Sequence, residues 1–167
     1  MEDFEAFAAR HVDDLLRMAC LIVWNDHDAE DLVQETLFKV ARRWPKIAAM
    51  KAPLAYTRKV LVNLATDGSV GRSRRRQELQ MPAVEMESSV DPFSELHDRA
   101  EMLQALGRLS TRSRAVLVLR FYNDLSEARV ADFLGCSTGT VKSSTSRGLA
   151  QLRQHLDALS SEPRNRS

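Results

Sequence analysis

Residues 126–152 read SEARVADFLGCSTGTVKSSTSRGLAQL, and the punctuation within them decides the fold of the carboxy-terminal half. Ser126 can accept hydrogen bonds from the free N–H groups that open a helix through Leu134. Gly135 suits the left-handed position that ends this helix, and Ser137 caps a longer one to about Leu156. Ala131 is small where the two helices approach, and Val141 points back into the unit to fix their angle, which predicts a helix-turn-helix. The second helix then carries Ser137, Thr138, Thr140, Lys142, Ser143, Ser144 and Arg147 in its amino-terminal half. A recognition helix meets base edges and phosphates there; Lys142 and Arg147 suit phosphate or guanine, and the hydroxyls suit either. The alternative is an ordinary helical hairpin with a solvated polar face.

Upstream of this stretch, Leu96, Ala100, Leu103 and Leu106 recur at helical spacing, and Ser110 or Thr111 can cap a helix carrying Val116, Leu117, Leu119 and Arg120. Asn123 and Asp124 make the next turn. The amino-terminal half keeps the same period. Phe4, Phe7, Ala8, Val12, Leu15, Ala19, Ile22 and Val23 form the stripe of a first helix, broken at residues 25–28, where an Asp can cap the next. A second helix is predicted over 29–44 with Ala29, Leu32, Val33, Thr36, Val40 and Trp44 inward and Pro45 discouraging continuation. A third starts near Pro53 and buries Leu54, Thr57, Val60, Leu61, Leu64 and Ala65. No stretch alternates apolar and polar over a useful length, so the expectation is an all-α chain.

Gly68 and Gly71 interrupt the period, and from 77 to 95 Pro82, Pro92, paired serines and several acids stand without one. The predicted organisation is a first helical domain at 1–76, a flexible linker at 77–95, a second at 96–159 and a disordered tail at 160–167.

Composition narrows the function classes. Apolar residues at 44% and charged residues at 28% suit a chain that buries a core. No apolar run approaches the ~18 to 20 residues needed to cross a bilayer, and the amino terminus is acidic, so a cytoplasmic protein with no membrane partner is expected. Cys20 and Cys136 lie far apart with no CxxC and are read as small buried hydrophobes. His11, His27, His97 and His155 are dispersed and no Gly-rich phosphate loop occurs, so no catalytic residue, metal or cofactor is expected. A net charge of +1 does not describe a general nucleic-acid binder, but the charge is unevenly placed. Arg72, Arg74, Arg75 and Arg76 cluster, whereas Glu78 to Glu101 holds seven acids with Arg99 as the only Arg or Lys, as expected if different surfaces meet different partners.

Two further segments carry chemistry. In DHDAEDLVQETLFKVARRW, from Asp26 to Trp44, the polar face collects Glu30, Asp31, Gln34 and Glu35 at helical spacing, with Phe38 one turn on. Three carboxylates, an amide and an exposed phenyl suit a basic partner; the alternative buries Phe38 and leaves the acids solvated. In YTRKVLVNLATDGSVGRSRRR, from Tyr56 to Arg76, Arg58, Lys59, Asn63 and the arginine cluster lie on or beyond the side opposite Leu61 and Leu64. They offer cations for phosphates and an amide for a base edge, and Tyr56 is either core or a stacking platform.

Taken in order, these motifs resemble an extracytoplasmic-function (group 4) sigma factor, the minimal bacterial sigma with only region 2 and region 4, over about Phe4 to Leu156. The resemblance implies that EDLVQETLFKV docks on the clamp helices of core RNA polymerase, through Asp31, Gln34 and Glu35 most directly. It implies that LAYTRKVLVNLATD opens the minus-10 element of promoter DNA, with Asn63 and neighbouring basic residues facing DNA, and that region 4 reads the minus-35 element and touches the polymerase flap. It admits an anti-sigma factor as a further partner, though no motif identifies one. Gly68, Ser69 and Gly71 depart from the family's basic, helix-forming stretch; Arg129 replaces a common acid; Gly148 lies inside the recognition helix. Three other functions stay open at this point: a stand-alone helix-turn-helix regulator binding an operator without polymerase, an interaction protein such as a degenerate sigma that only sequesters polymerase, and an enzyme acting on nucleic acid, against which the missing metal and phosphate motifs speak.

Overall fold

The computed structural model describes residues 2–67 and 96–161, and every regular element among them is helical. The expected linker at 77–95 and its first boundary lie outside the described residues, as do Gly68, Gly71 and the arginine cluster. The chain divides into two compact units, Met1–Val84 and Glu85–Ser167.

In the first unit α1 spans Phe4–Val23, α2 Asp26–Ala41, α3 Trp44–Ala48 and α4 Pro53–Asp67. Helices α1, α2 and α4 pack on one another, and α3 bridges α2 to α4. Asp3 caps α1 by accepting from the Ala6 N–H at 2.7 Å. From Met18 to Val23 every residue of α1 is buried, so the helix is apolar all round where its neighbours enclose it. Trp24 closes α1 in the left-handed region at φ 57°, and its N–H donates to the Cys20 carbonyl.

The sequence expectation differs from the structure at three places here. Asn25, not an Asp, caps α2: its buried Oδ1 accepts from the Asp28 N–H at 2.9 Å. Asp26 and Asp28 instead occupy the first helical turn, where negative charge favours the helix dipole. Helix α2 ends at Ala41, and Trp44 starts α3 with Pro45 in its first turn, so the proline helps open a new helix. Leu54, Val60 and Leu64 are only half-buried, whereas Val62 is buried in their place. Phe7, Val40 and Ile47 form a buried cluster with Phe4, Trp44, Leu54 and Tyr56 packed at its edge; Trp44 lies 4.7 Å from Phe7 and 5.6 Å from Phe4, ring centre to ring centre.

In the second unit α5 spans Leu96–Gly107, α6 Thr111–Leu117, α7 Glu127–Leu134 and α8 Thr138–Ser161. Helices α5, α6 and α7 each pack on α8. Ser110 caps α6, its Oγ accepting from the Ser113 N–H at 3.2 Å. Beyond α6 the chain takes a π-helical turn at Val118–Tyr122, a wider winding that no periodicity in the sequence announced. Arg114 is buried beneath this unit, and its guanidinium donates to the carbonyls of Leu109, Gly107 and Leu106. A cation thus satisfies the orphan acceptors that close α5, where the helix dipole is negative.

Cys20 is buried as expected, but Cys136 is half-buried in the turn after Gly135. Helix α8 also runs past Leu156 through Ser160 and Ser161, the start of the expected tail: Leu159 is half-buried, and the Ser161 hydroxyl donates to the Asp157 carbonyl at 2.8 Å.

Candidate functional site

On α2, Leu32, Val33, Thr36 and Val40 turn inward, and the Thr36 hydroxyl donates to the Leu32 carbonyl at 2.7 Å, so this polar side chain is satisfied in the core. That inward stripe leaves Glu30, Asp31, Gln34 and Phe38 exposed on one face, with Glu35 half-buried at its edge. Phe38 is 64% exposed, which excludes the reading that buried it. The Arg42 guanidinium lies 5.9 Å from its ring centre, within cation–π range.

Beside this face α2 and α4 frame a cleft of about 550 Å³. Lys39, Arg42 and Arg43 line one wall; Tyr56, Val60, Asn63, Leu64 and Asp67 line the other. The α4 residues recur every three or four positions and so share one side of the helix. This explains why Val60 and Leu64 stay half-buried: they wall a cleft instead of filling the core. It also corrects the expected division of α4, because Asn63 and Leu64 lie on the same side.

Arg58 and Asn63 are not brought together on that wall. The Arg58 guanidinium ion-pairs with Asp14 on α1, and Asp14 also pairs with Arg17 at 3.7 Å. Five residues along a helix place Arg58 on a different side from Asn63, and α1 covers that side. Lys59 is half-buried. Arg72, Arg74, Arg75 and Arg76 lie outside the described residues. Sequence reasoning passed over Lys39, Arg42 and Arg43, although three cations bracketing the last buried residue of α2, Val40, were visible. What it lacked was the return of α4 alongside them.

In the second unit the Ser126 cap accepts from the Arg129 N–H at 3.2 Å, so the half of the capping box that rests on the serine persists without an acid at 129. Gly135 takes φ 63° and its N–H donates to the Ala131 carbonyl. Ser137 caps α8, accepting from the Thr140 N–H at 3.1 Å, and the Ser137 and Thr140 hydroxyls are 2.9 Å apart. Along α8, Val141, Thr145 and Gly148 are buried on one stripe. Thr138, Thr140, Lys142, Ser143 and Arg147 are exposed, and Ser144 is half-buried. The Ser143 hydroxyl donates back to the Gly139 and Thr140 carbonyls at 3.1 and 3.2 Å, and Arg147 Nε to the Ser143 carbonyl at 3.4 Å. Lys142 and the outer nitrogens of Arg147 are therefore the cations this helix presents in its first turns. Phe121, in the π-helical turn, is 47% exposed with the Arg120 guanidinium 5.6 Å from its ring centre.

No group of residues suited to hold a metal ion occurs among the described residues, and no described helix is long and apolar enough to cross a membrane.

Known proteins share both units. Residues 7–77 match the model of sigma-70 region 2, and residues 99–152 match that of sigma-70, region 4. The chain is 38% identical over 160 residues to the RNA polymerase sigma-E factor of Streptomyces avermitilis, covering 93% of this chain and 86% of that protein. It is 32% identical over 167 residues to the ECF RNA polymerase sigma factor SigE of Mycolicibacterium smegmatis, covering 97% of this chain and 65% of that protein. Among solved structures, the sigma factor RpoE of Bartonella quintana, determined in complex with the anti-sigma factor NepR, matches with a TM-score of 0.68 and 25% identity over 94% of this chain and 98% of that one. With a region 2 model and a region 4 model in that order, and such identity along nearly the whole chain, the protein belongs to the extracytoplasmic-function sigma factors of the sigma-70 family.

Proposed function

We propose that the exposed face of α2 docks this sigma factor on core RNA polymerase, and that the adjoining cleft and the recognition helix α8 then address the two elements of one promoter. The observation that carries this reading is the adjacency within the first unit: an acidic face with an exposed phenyl group shares α2 with a cleft lined by three cations, an aromatic ring and an amide. The docking residues are Glu30, Asp31, Gln34, Glu35 and Phe38, and their partner is basic. The minus-10 contacts are Asn63, Lys59 and the cluster Arg72, Arg74, Arg75 and Arg76, joined by Lys39, Arg42 and Arg43; Arg58 serves them by holding α4 to α1. The minus-35 contacts are Ser137, Thr138, Thr140, Lys142, Ser143, Ser144 and Arg147, and Phe121 offers the second unit an apolar contact for the polymerase flap.

Residues 1–76 and 96–159 act as two weak DNA-binding units, with 77–95 as their tether. Held on one polymerase, each raises the other's effective concentration, so joint affinity grows without new contacts. A net charge of +1 suits such a chain, since a strongly basic one would grip DNA without polymerase. The chain contributes recognition, and bond formation belongs to polymerase, so the protein acts in the cytoplasm and is not itself an enzyme. An anti-sigma factor is the natural inhibitor of such a surface.

The test is transcription in vitro from genomic fragments, with core polymerase, the chain, or both, followed by start-site mapping. Specific starts are expected only with both present. Tight operator binding by the free chain, with no effect on polymerase, would instead establish a stand-alone regulator.

A further inference from the structure

Every residue of the cleft between α2 and α4 suits a nucleic-acid backbone or base except one. Lys39, Arg42 and Arg43 attract phosphate, but Asp67 places a carboxylate on the same lining, one turn beyond Asn63 on the same side of α4. A carboxylate in a groove for phosphates weakens general binding, which is how discrimination against wrong occupants is built. An N–H donor that only the right occupant supplies offsets that loss for this occupant alone.

We infer that Asp67 is a specificity-determining residue that selects an unstacked guanine, by accepting hydrogen bonds from guanine N1–H and N2–H₂. This rests on the cleft receiving single-stranded promoter DNA, as proposed above. The choice among bases follows from their pairing edges. Guanine sets two N–H donors side by side, which match the two oxygens of one carboxylate. Adenine and cytosine set one amino donor beside a ring nitrogen whose lone pair opposes the second oxygen. Thymine sets its single N–H between two carbonyls. Inside a duplex this edge of guanine is occupied by its partner, so Asp67 also favours an unpaired base. The Asn63 amide, one turn away, can donate to guanine O6, and Tyr56 offers a face for stacking. Tyr56 is anchored for this, being packed against the buried Phe7, Val40 and Ile47 cluster. A volume of about 550 Å³ falls within the ~300–1,000 Å³ of sites for small organic molecules, room enough for one nucleotide.

The test uses the full chain assembled with core polymerase and a fluorescent dT strand carrying one central guanine, with fluorescence anisotropy as the readout. Replacing that guanine by inosine removes only the N2 amino group, and binding should fall about tenfold. Adenine, cytosine or thymine at the position should do no better than inosine. Asp67→Asn should abolish the preference for guanine over inosine and should improve binding of a strand with xanthine there, whose carbonyl replaces the N2 amino group. Arg42→Ala with Arg43→Ala should weaken all strands alike. If this double variant leaves every strand bound as before, the cleft is not the DNA site and the reading beneath the inference fails. If it weakens them all while guanine and inosine bind equally, or while Asp67→Asn keeps the preference, the cleft stands and the guanine assignment is overturned.

Discussion

Glu35 and Lys39 stand one turn apart on α2 and ion-pair at 3.5 Å, joining the acidic face proposed for docking to the cationic wall of the cleft. Both side chains are substantially exposed, so the pair adds no more than about 0.5 kcal/mol to the fold. Its consequence lies in binding: a basic partner that engages Glu35 competes with Lys39 and leaves the lysine to the cleft.

Charge reversal on this face should therefore act on docking and not on folding. Asp31→Lys with Glu35→Lys places like charge against a basic clamp, which costs about 2 kcal/mol or more. Pull-down or titration against core polymerase should show at least about a thirtyfold loss, with helical circular dichroism unchanged. Unchanged affinity would remove this face from the interface.

Arg58 should behave as a structural residue. Its pair with Asp14 is about two-thirds shielded from solvent and ties α4 to α1. Arg58→Ala and Asp14→Ala should each lower stability in urea unfolding by about 1 kcal/mol after solvent screening, and the double variant should cost less than their sum. Full additivity would show that the pair contributes nothing.

Cys20 supplies a pH signature. Burial first, then the Asp26 carboxylate, whose Oδ1 lies 3.7 Å from the thiol, push its pKa from 9.0 to about 11. The folded state thus holds the proton that the unfolded chain releases, so this contribution is whole below pH 9 and is lost as pH rises towards 11. At pH 8 alkylation should mark the half-buried Cys136 well before Cys20, read by peptide mass spectrometry. Cys20→Ala should flatten the alkaline loss of stability, which amounts to roughly 2 kcal/mol for such a shift. Equal labelling of both cysteines would contradict the burial.

Two glycines of the second unit should respond differently. Gly135 sits at φ +63° with open space around it, so Gly135→Ala meets no clash but costs about 1–2 kcal/mol in backbone strain. A Cβ on Gly148 would stand 3.4 Å from Leu117, at the edge of ordinary contact. Gly148→Ala should nearly balance, because about 1 kcal/mol of helix propensity is regained against that contact. Gly148→Val should lose about 1–3 kcal/mol by overpacking. Thermal unfolding of the four proteins orders them.

On α8, Arg147 and Lys142 should separate base reading from phosphate binding. Arg147→Ala should cost about 1–3 kcal/mol at one position of the upstream element and relax its sequence, whereas Lys142→Ala should weaken all promoters evenly and reduce the salt dependence. Holoenzyme binding to promoter variants at several salt concentrations distinguishes them. Identical effects would merge the two roles.

The sequence by itself determined the long helices and most of their caps, but not the break that separates α2 from α3 or the π-helical turn after α6. Ser126, Gly135 and Ser137 act on their own backbone within a few residues, so caps and turns needed no tertiary knowledge. The inward stripe of α2 was legible for the same reason, and with it the exposure of Phe38. Which polar residues meet was decided only when the helices packed. Periodicity tells which side of a helix is buried, not which neighbour covers the remainder. Arg58 appeared free for DNA until α1 brought Asp14 to it, and Lys39, Arg42 and Arg43 acquired a cleft only because α4 lies alongside α2.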